Sequence, residues 1–189
     1  MSSLITNLNS VASWMNLCIP PFLIGFSTFG NVLNLIIFTR PTLRTNPCSM
    51  YFLAGSINNL FATYVAILSR YLSVSWNLDI STRNNIFCKL RLLFIYSSLN
   101  LVLWFTILAS ADRFFSSSKS VRLRQLSSLP MARKNIVLSY ILMYLIYVHV
   151  LIFGRSGSDS SPSCTFYSDA YNIFFDFFFL LLPIFYPLY

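Results

Sequence analysis

Long apolar runs are the feature that most constrains how this chain can fold. A helix that crosses a bilayer needs about 20 mostly apolar residues, and runs of that kind lie near residues 17–38, 50–72, 90–111, 136–153 and 171–189. Only 10% of the 189 residues are charged, against 56% hydrophobic, which is too few charges to solvate the surface of a globule. The pattern predicts an all-α membrane protein with five spans and excludes a soluble enzyme.

The charges between the runs predict how the spans are oriented. The first loop carries Arg40 and Arg44 without an acid, and the third, from Asp112 to Lys134, carries six basic residues against one Asp. Basic loops face the cytoplasm, so the N-terminus is expected outside a plasma membrane. The net charge of +8 would also suit nucleic acid, but the polar faces that such binding needs are missing. The expected partner is the lipid bilayer, not nucleic acid.

Several polar residues interrupt the runs, and polar groups in lipid usually face the interior of a helix bundle. They are Asn31, Asn34, Asn58, Asn59, Asn100 and Asp176. Each amide alone is explained by a hydrogen bond to a neighbouring helix. Asp176 could equally face a pocket or lie at the outer boundary, and its role stays open.

Four cysteines divide by their predicted side of the membrane. Cys88 precedes the third run and Cys164 lies in the fourth loop, so both face the oxidising exterior, where a disulfide is allowed. Cys18 and Cys48 fall on opposite sides and are expected to be free thiols. The predicted Cys88–Cys164 bond would tie the fourth loop over the top of the third helix.

The sequence Asp112-Arg113-Phe114 stands where the third run ends. It is typical of a helix end with snorkelling charge. It also suits a buried ion pair that can switch, because the Arg fork can be held by the adjacent carboxylate or captured by a partner. The residues alone leave both interpretations open.

Together these motifs resemble the first five spans of a rhodopsin-like G protein-coupled receptor (class A, family 1). Arg113 follows Cys88 by 25 residues, and Asn59 follows Asn31 by 28. Around the third span, residues 107–118 are also similar to invertebrate receptor-like proteins. The remaining motifs are Gly30-Asn31-Val32, Leu43-Arg44-Thr45-Asn46-Pro47, and Cys164 with Pro183 placed 19 residues later.

This resemblance implies a seven-transmembrane bundle, truncated here after the fifth helix, that transmits an extracellular signal to a heterotrimeric G protein. Residues 1–189 would form one incomplete domain. Asn31 and Asn59 would form an interhelical polar core, and Pro183 would break the fifth helix. At the inner face, Arg113 would leave Asp112 and meet the G protein, with Phe114 completing the motif and Val121 docking on it.

The resemblance also implies a ligand pocket under the outer ends of the helices. Ile95, Tyr96 and Leu99 share one face of the third helix, with Asn100 beside them and Arg91 one turn above. Ile95 stands where amine receptors carry an Asp, so a small cationic amine has no counter-ion. A peptide is the favoured ligand, with its carboxylate on Arg91, although Arg91 could instead snorkel to the outer headgroups.

Departures from the family limit other chemistry. Asn59 replaces the usual Asp and Val102 the usual hydroxyl, so the sodium site of the family is not expected. His149 has no metal-ligand neighbour at a suitable spacing and is predicted to be a packed side chain. No enzymatic motif is present, and neither a cofactor nor a metal is expected.

Two other classes of protein fit the same residues. The fifth run reaches Tyr189 without a polar flank, and the family's sixth and seventh spans are missing. The sequence would therefore also suit a truncated, non-signalling membrane protein that associates with full-length receptors. A piece of a transporter or channel would need ionisable groups along its path, and only Asp176 and His149 come close.

Overall fold

The computed structural model is built almost entirely from helices, and it describes residues 2–76, 84–156, 164–166, 168, 170–175 and 177–178. Residues 170–175 and 177–178 are also helical. The helices named here are α1 (Ser2–Phe38), α2 (Pro41–Arg44), α3 (Pro47–Ala62), α4 (Ser69–Trp76), α5 (Asn85–Ser117), α6 (Val121–Leu126), α7 (Leu129–Tyr147) and α8 (Val150–Phe153). A π-helical segment, Thr63–Leu68, joins α3 to α4.

Four helical stretches of the described chain are long and apolar enough to cross a membrane. They are Thr6–Phe38, Pro47–Ser73, Asn85–Ser117 and Leu129–Phe153, and they confirm the first four predicted runs by length and composition. The helices extend beyond the apolar runs because charged side chains such as Lys89 and Arg113 are tolerated where a span meets water. Most of the fifth run, 171–189, lies outside the described residues.

Short polar signals fix where the helices begin. Asn46 and Asn84 each accept a hydrogen bond from the backbone N–H two residues later, at 3.0 Å, and so cap α3 and α5. Pro47 then occupies the first turn of α3, where a missing N–H costs nothing. These caps fix the first residue of each helix.

Helix α5 lies at the centre of the bundle and contacts α3, α6, α7, α8 and the β-hairpin. A first buried cluster fills the space between α3, α5 and α7: Cys48, Tyr51, Leu101, Phe105, Ala109, Ala132 and Met143. The outward faces are apolar as well, with Phe26 of α1 75% exposed. A surface of this kind suits lipid rather than water.

The two ends of the bundle are named here by their most distinctive groups. At the disulfide end, strands β1 (Gly154–Ser156) and β2 (Cys164–Phe166) form an antiparallel pair in which Arg155 faces Thr165. A second buried cluster lies beneath this hairpin: Cys88, Leu92, Leu93, Tyr147, Val150 and Phe175. The opposite end, where α5 approaches α6 and the start of α7, is the Asp112 end.

Candidate functional site

A cavity of about 770 Å³ opens at the disulfide end between α1, the π-helical segment, α4, α5 and β2. Three of the predicted pocket residues, Arg91, Ile95 and Tyr96, line it together. The other lining residues are Met15, Asn16, Ile19, Pro20, Leu23, Ala66, Ile67, Arg70, Tyr71, Ser73, Leu92 and Cys164. Its volume lies within the range of small-molecule sites.

The predicted Cys88–Cys164 disulfide is confirmed. It joins the first turn of α5 to the start of β2, with the two Cα atoms 5.6 Å apart. Cys88 is fully buried, and Cys164 forms part of the cavity wall. As predicted, Cys18 and Cys48 are free thiols. Cys18 is exposed and Cys48 is buried.

Gly154 lets the hairpin approach α5 closely. A Cβ atom at this position would lie 2.9 Å from the carbonyl oxygen of Val150 and 3.3 Å from Cδ1 of Leu92. Both distances are shorter than ordinary van der Waals contact, and the first partner is backbone that cannot move aside. Glycine and the disulfide therefore both allow the hairpin to lie close against α5.

Aromatic rings support the wall of the cavity on its hairpin side. The ring of Tyr96 lies 4.5 Å from that of Phe175 and 6.0 Å from that of Phe166. Phe166 in turn contacts Tyr171, with centroids 5.0 Å apart. Edge-to-face and offset pairs at these distances are favourable, so Tyr96 is positioned by the hairpin and by Phe175 of the helical residues 170–175.

Arg70 is the charged lining residue that the sequence analysis did not place in the pocket. It belongs to α4 and lines the same cavity as Arg91 of α5. The signal was present, because a charged residue within a predicted span, 50–72, is costly in lipid and marks a functional position by default. The two guanidinium groups give the cavity a cationic character.

Leu99 and Asn100 do not line the cavity. Leu99 is 46% exposed; it lies about one helical turn beyond Ile95 on the same face of α5, and the part of α5 that lines the cavity runs only from Arg91 to Tyr96. The buried Asn100 donates from Nδ2 to the hydroxyl of Tyr147 at 2.7 Å. Asn100 therefore links α5 to α7 instead of facing a ligand.

Asn31 and Asn59, the predicted interhelical polar core, are connected through the hydroxyl groups of Ser27 and Thr63. Nδ2 of Asn31 donates to the carbonyl oxygen of Ser27 in its own helix at 2.8 Å. The hydroxyls of Ser27 and Thr63 lie 2.6 Å apart, and Thr63 donates to the carbonyl oxygen of Asn59 at 2.8 Å. Hydroxyl groups, not the two amides, make the contact between α1 and the second span.

Asn58 is the amide of α3 that reaches a neighbouring helix. Its Nδ2 donates to the carbonyl oxygen of Ser98 in α5 at 2.8 Å, and the contact is buried. On the other side of α5, the indole N–H of Trp104 donates to the hydroxyl of Ser139 in α7 at 2.8 Å. The sequence analysis noted Asn58 as a buried polar group but not its role in the α3–α5 contact.

At the Asp112 end, the carboxylate of Asp112 is buried and accepts a hydrogen bond from the hydroxyl of Ser127 at 2.8 Å. Ser127 lies in the link between α6 and α7. Arg113 is exposed, and the structure shows no ion pair between these two described neighbours. The observed partner of the Asp112 carboxylate is therefore the Ser127 hydroxyl, whereas the predicted ion pair makes Arg113 its partner.

The remaining residues of the predicted coupling surface are accessible. Phe114 is 67% exposed and Val121 is 59% exposed, and both lie near Asp112 on α5 and α6. Beneath them, Nδ2 of Asn135 donates to the hydroxyl of Tyr51 at 3.2 Å, joining α7 to α3. The predicted helix break at Pro183 and the open position Asp176 lie outside the described residues.

His149 lies in the turn between α7 and α8 and is surrounded by aromatic rings. One ring nitrogen, Nδ1, is 2.7 Å from the carbonyl oxygen of Ile146, and the ring of Phe178 lies edge-on at 5.6 Å. Within the described part of the chain, no group of three or more His, Cys, Asp or Glu could hold a metal ion. These contacts make His149 part of the packing.

No protein-family model matches the chain, and no characterised protein matches it in a search of curated sequences. Three features of the structure therefore bear on function: the cavity, the disulfide and the Asp112 end. What these three features share is helix α5, which contributes residues to each.

Proposed function

We propose that this chain is part of a rhodopsin-like G protein-coupled receptor, with the described spans as the first four helices of a seven-helix bundle. A ligand enters the cavity from outside the cell, and a heterotrimeric G protein binds at the Asp112 end. The function is transmission rather than catalysis. The basic residues gathered at the Asp112 end favour the cytoplasmic side for that end and the outside of a plasma membrane for the N-terminus.

One observation carries this proposal: a single helix reaches both sites. Arg91, Ile95 and Tyr96 of α5 line the cavity, and Asp112, near the other end of the same helix, holds the α6–α7 link. At 1.5 Å per residue, Tyr96 and Asp112 are about 24 Å apart along the axis. A displacement of α5 caused by a ligand therefore reaches the link without an intermediate element.

Buried polar contacts make that displacement specific. The hydrogen bonds of Asn58 and Asn100 join α5 to α3 and to α7 on opposite sides. These two helices are therefore the partners relative to which α5 is displaced. A ligand shifts the population towards the packing that it binds more tightly. In the active packing the Ser127 bond to Asp112 opens, and Arg113, Phe114 and Val121 meet the G protein.

The first test is to read the transcript beyond the codon for Tyr189. A frame that continues into two further apolar spans, the last with an Asn-Pro-x-x-Tyr motif, supports the receptor. An immediate stop codon contradicts it and favours the non-signalling partner of full-length receptors.

The second test is functional and uses the product of the complete reading frame in lipid nanodiscs with a G protein heterotrimer. The Arg113→Ala variant should abolish nucleotide exchange, because it removes the cation that the G protein meets. Arg133→Ala is the matched control, since Arg133 is also exposed at the Asp112 end but lies on α7. Equal exchange by wild type and Arg113→Ala contradicts the proposal.

A further inference from the structure

The cavity carries two positive charges, and none of its described lining residues is acidic. Arg70 of α4 and Arg91 of α5 reach it from two different elements. Positive charge in a cleft with low-dielectric walls concentrates anions. The charge of the lining therefore selects an occupant with a negative group.

The rest of the lining selects an apolar body for that occupant. Ile19 and Leu23 of α1 form one wall, and Ile67 and Ile95 extend it. Tyr71 and Tyr96 add aromatic surface with hydroxyl groups. Most of the lining would bury apolar surface, which favours binding in proportion to the area removed from water.

We propose that the cavity binds an organic carboxylate with an apolar body. Its carboxylate lies between Arg70 and Arg91, and its body lies against α1 and Ile95. The guanidinium fork matches a carboxylate through two parallel hydrogen bonds. A monoanion suits this cavity better than a dianion because its desolvation in an apolar surrounding costs less. The inference deepens the proposed function, on which it rests for the biological role of the ligand.

The same chemistry can come from a fatty acid or from the C-terminus of an apolar peptide, and the experiment separates these sources. The first probe is a 12-carbon carboxylate with a photoreactive diazirine at its far end, paired with the matching primary amide. The second is an N-acetylated Phe-Leu dipeptide acid carrying a photoreactive Phe, paired with its C-terminal amide. Each is titrated against the chain in nanodiscs, with empty nanodiscs as the background.

Labelling is mapped by mass spectrometry of the digested protein. At least one acid should label the segment 15–23 or 66–73 at saturable concentrations, and its amide should label far more weakly. Arg70→Gln and Arg91→Gln should each weaken half-saturation about 10- to 100-fold, the loss expected for a hydrogen bond to a charged group. Arg155→Gln should leave it unchanged, because Arg155 lies at the same end outside the cavity.

Two further variants, Arg70→Lys and Arg91→Lys, control for misfolding, since each keeps the positive charge and loses only the guanidinium fork. Each should bind more weakly than wild type and more tightly than the Gln variant. Equal labelling by acid and amide, or equal half-saturation in all variants, overturns the anion site. Saturable labelling without nucleotide exchange leaves the site standing and counts against the receptor, so the two failures are distinguishable.

Discussion

At the scale of single residues, buried hydrogen bonds between helices determine how α5 is held. The bond from Asn100 to the Tyr147 hydroxyl spans α5 and α7, and both residues are buried. Inside a membrane such a bond contributes about 0.6–1.7 kcal/mol, because the unfolded chain also finds partners in lipid. The contribution is small, but it acts where α5 must stay in register with α7.

A double-mutant cycle of Asn100→Leu and Tyr147→Phe tests this bond. The two changes should show a coupling free energy of about 1 kcal/mol, since the second change removes a bond that is already lost. Unfolding in a denaturing detergent, followed by circular dichroism, measures it. Asn100→Leu combined with Tyr140→Phe is the control and should be additive; coupling of equal size in both cycles would contradict the assignment.

Ser127 supports a second prediction at this scale. Ser127→Ala removes the hydroxyl that donates to Asp112 and leaves a buried carboxylate without that donor, which is unfavourable. Amide hydrogen exchange in residues 118–128 should rise, because the α6–α7 link is no longer fastened to α5. Ser128→Ala is a close control, as the Ser128 side chain does not cap α7. Unchanged amide hydrogen exchange in residues 118–128 of Ser127→Ala would contradict the prediction.

At the scale of elements, the sequence predicts the helices better than the contacts between them. Apolar length alone predicts four spans, but it starts the second and third near residues 50 and 90, whereas the Asn46 and Asn84 caps begin α3 at Pro47 and α5 at Asn85. It does not reveal that Asn58 rather than Asn59 reaches α5, because adjacent residues lie about 100° apart on a helix and the packing decides which one faces inward. Arg70 was missed as a cavity residue for a related reason: the π-helical segment changes the register ahead of it.

The disulfide is the covalent link between the hairpin and α5, and its removal is a prediction for these elements. Cys88→Ser with Cys164→Ser should destabilise the fold by about 2–4 kcal/mol at most and should speed hydrogen exchange in β2. The labelling of the cavity should also weaken, because Cys164 forms part of its wall. Cys18→Ser is the control, since Cys18 is an exposed free thiol. Unchanged exchange in β2 would show that packing alone holds the hairpin.

At the scale of the whole molecule, the two ends should lie on opposite sides of a membrane. Lys119→Cys at the Asp112 end and Arg155→Cys at the disulfide end are introduced one at a time into a background with Cys18→Ala and Cys48→Ala. In sealed, right-side-out vesicles, a membrane-impermeant maleimide should label position 155 directly and position 119 only after permeabilisation. Reaction of both positions before permeabilisation would contradict a membrane crossing by the stretch Leu129–Phe153, which separates them.

The whole-molecule architecture also marks the limit of what the sequence predicts. Composition predicts that lipid is the solvent, because 10% charged residues are too few to cover a globule. It does not locate the cavity, which arises from four separate parts of the chain meeting at one end. Arg91, Ile95 and Tyr96 could be placed together since they lie on one helix, whereas their neighbours from α1 and α4 depend on how whole helices pack.

The π-helical segment gives the second span an unusual tolerance to changes in its length. In an uninterrupted α-helix, Arg70 would lie about 120° around the helix axis from Asn58. The π-helical segment accommodates one extra residue, which corresponds to about 100° of rotation and therefore cancels most of that angle. Deleting Leu68 should therefore convert the wide turn into ordinary α-helix and leave Arg70 in the cavity. Deleting Ile57, in the regular part of α3, should instead rotate one half of the span against the other. Carboxylate labelling retained in the first deletion and lost in the second would show that the π-helical segment absorbs the loss of one residue and that the regular part of α3 does not.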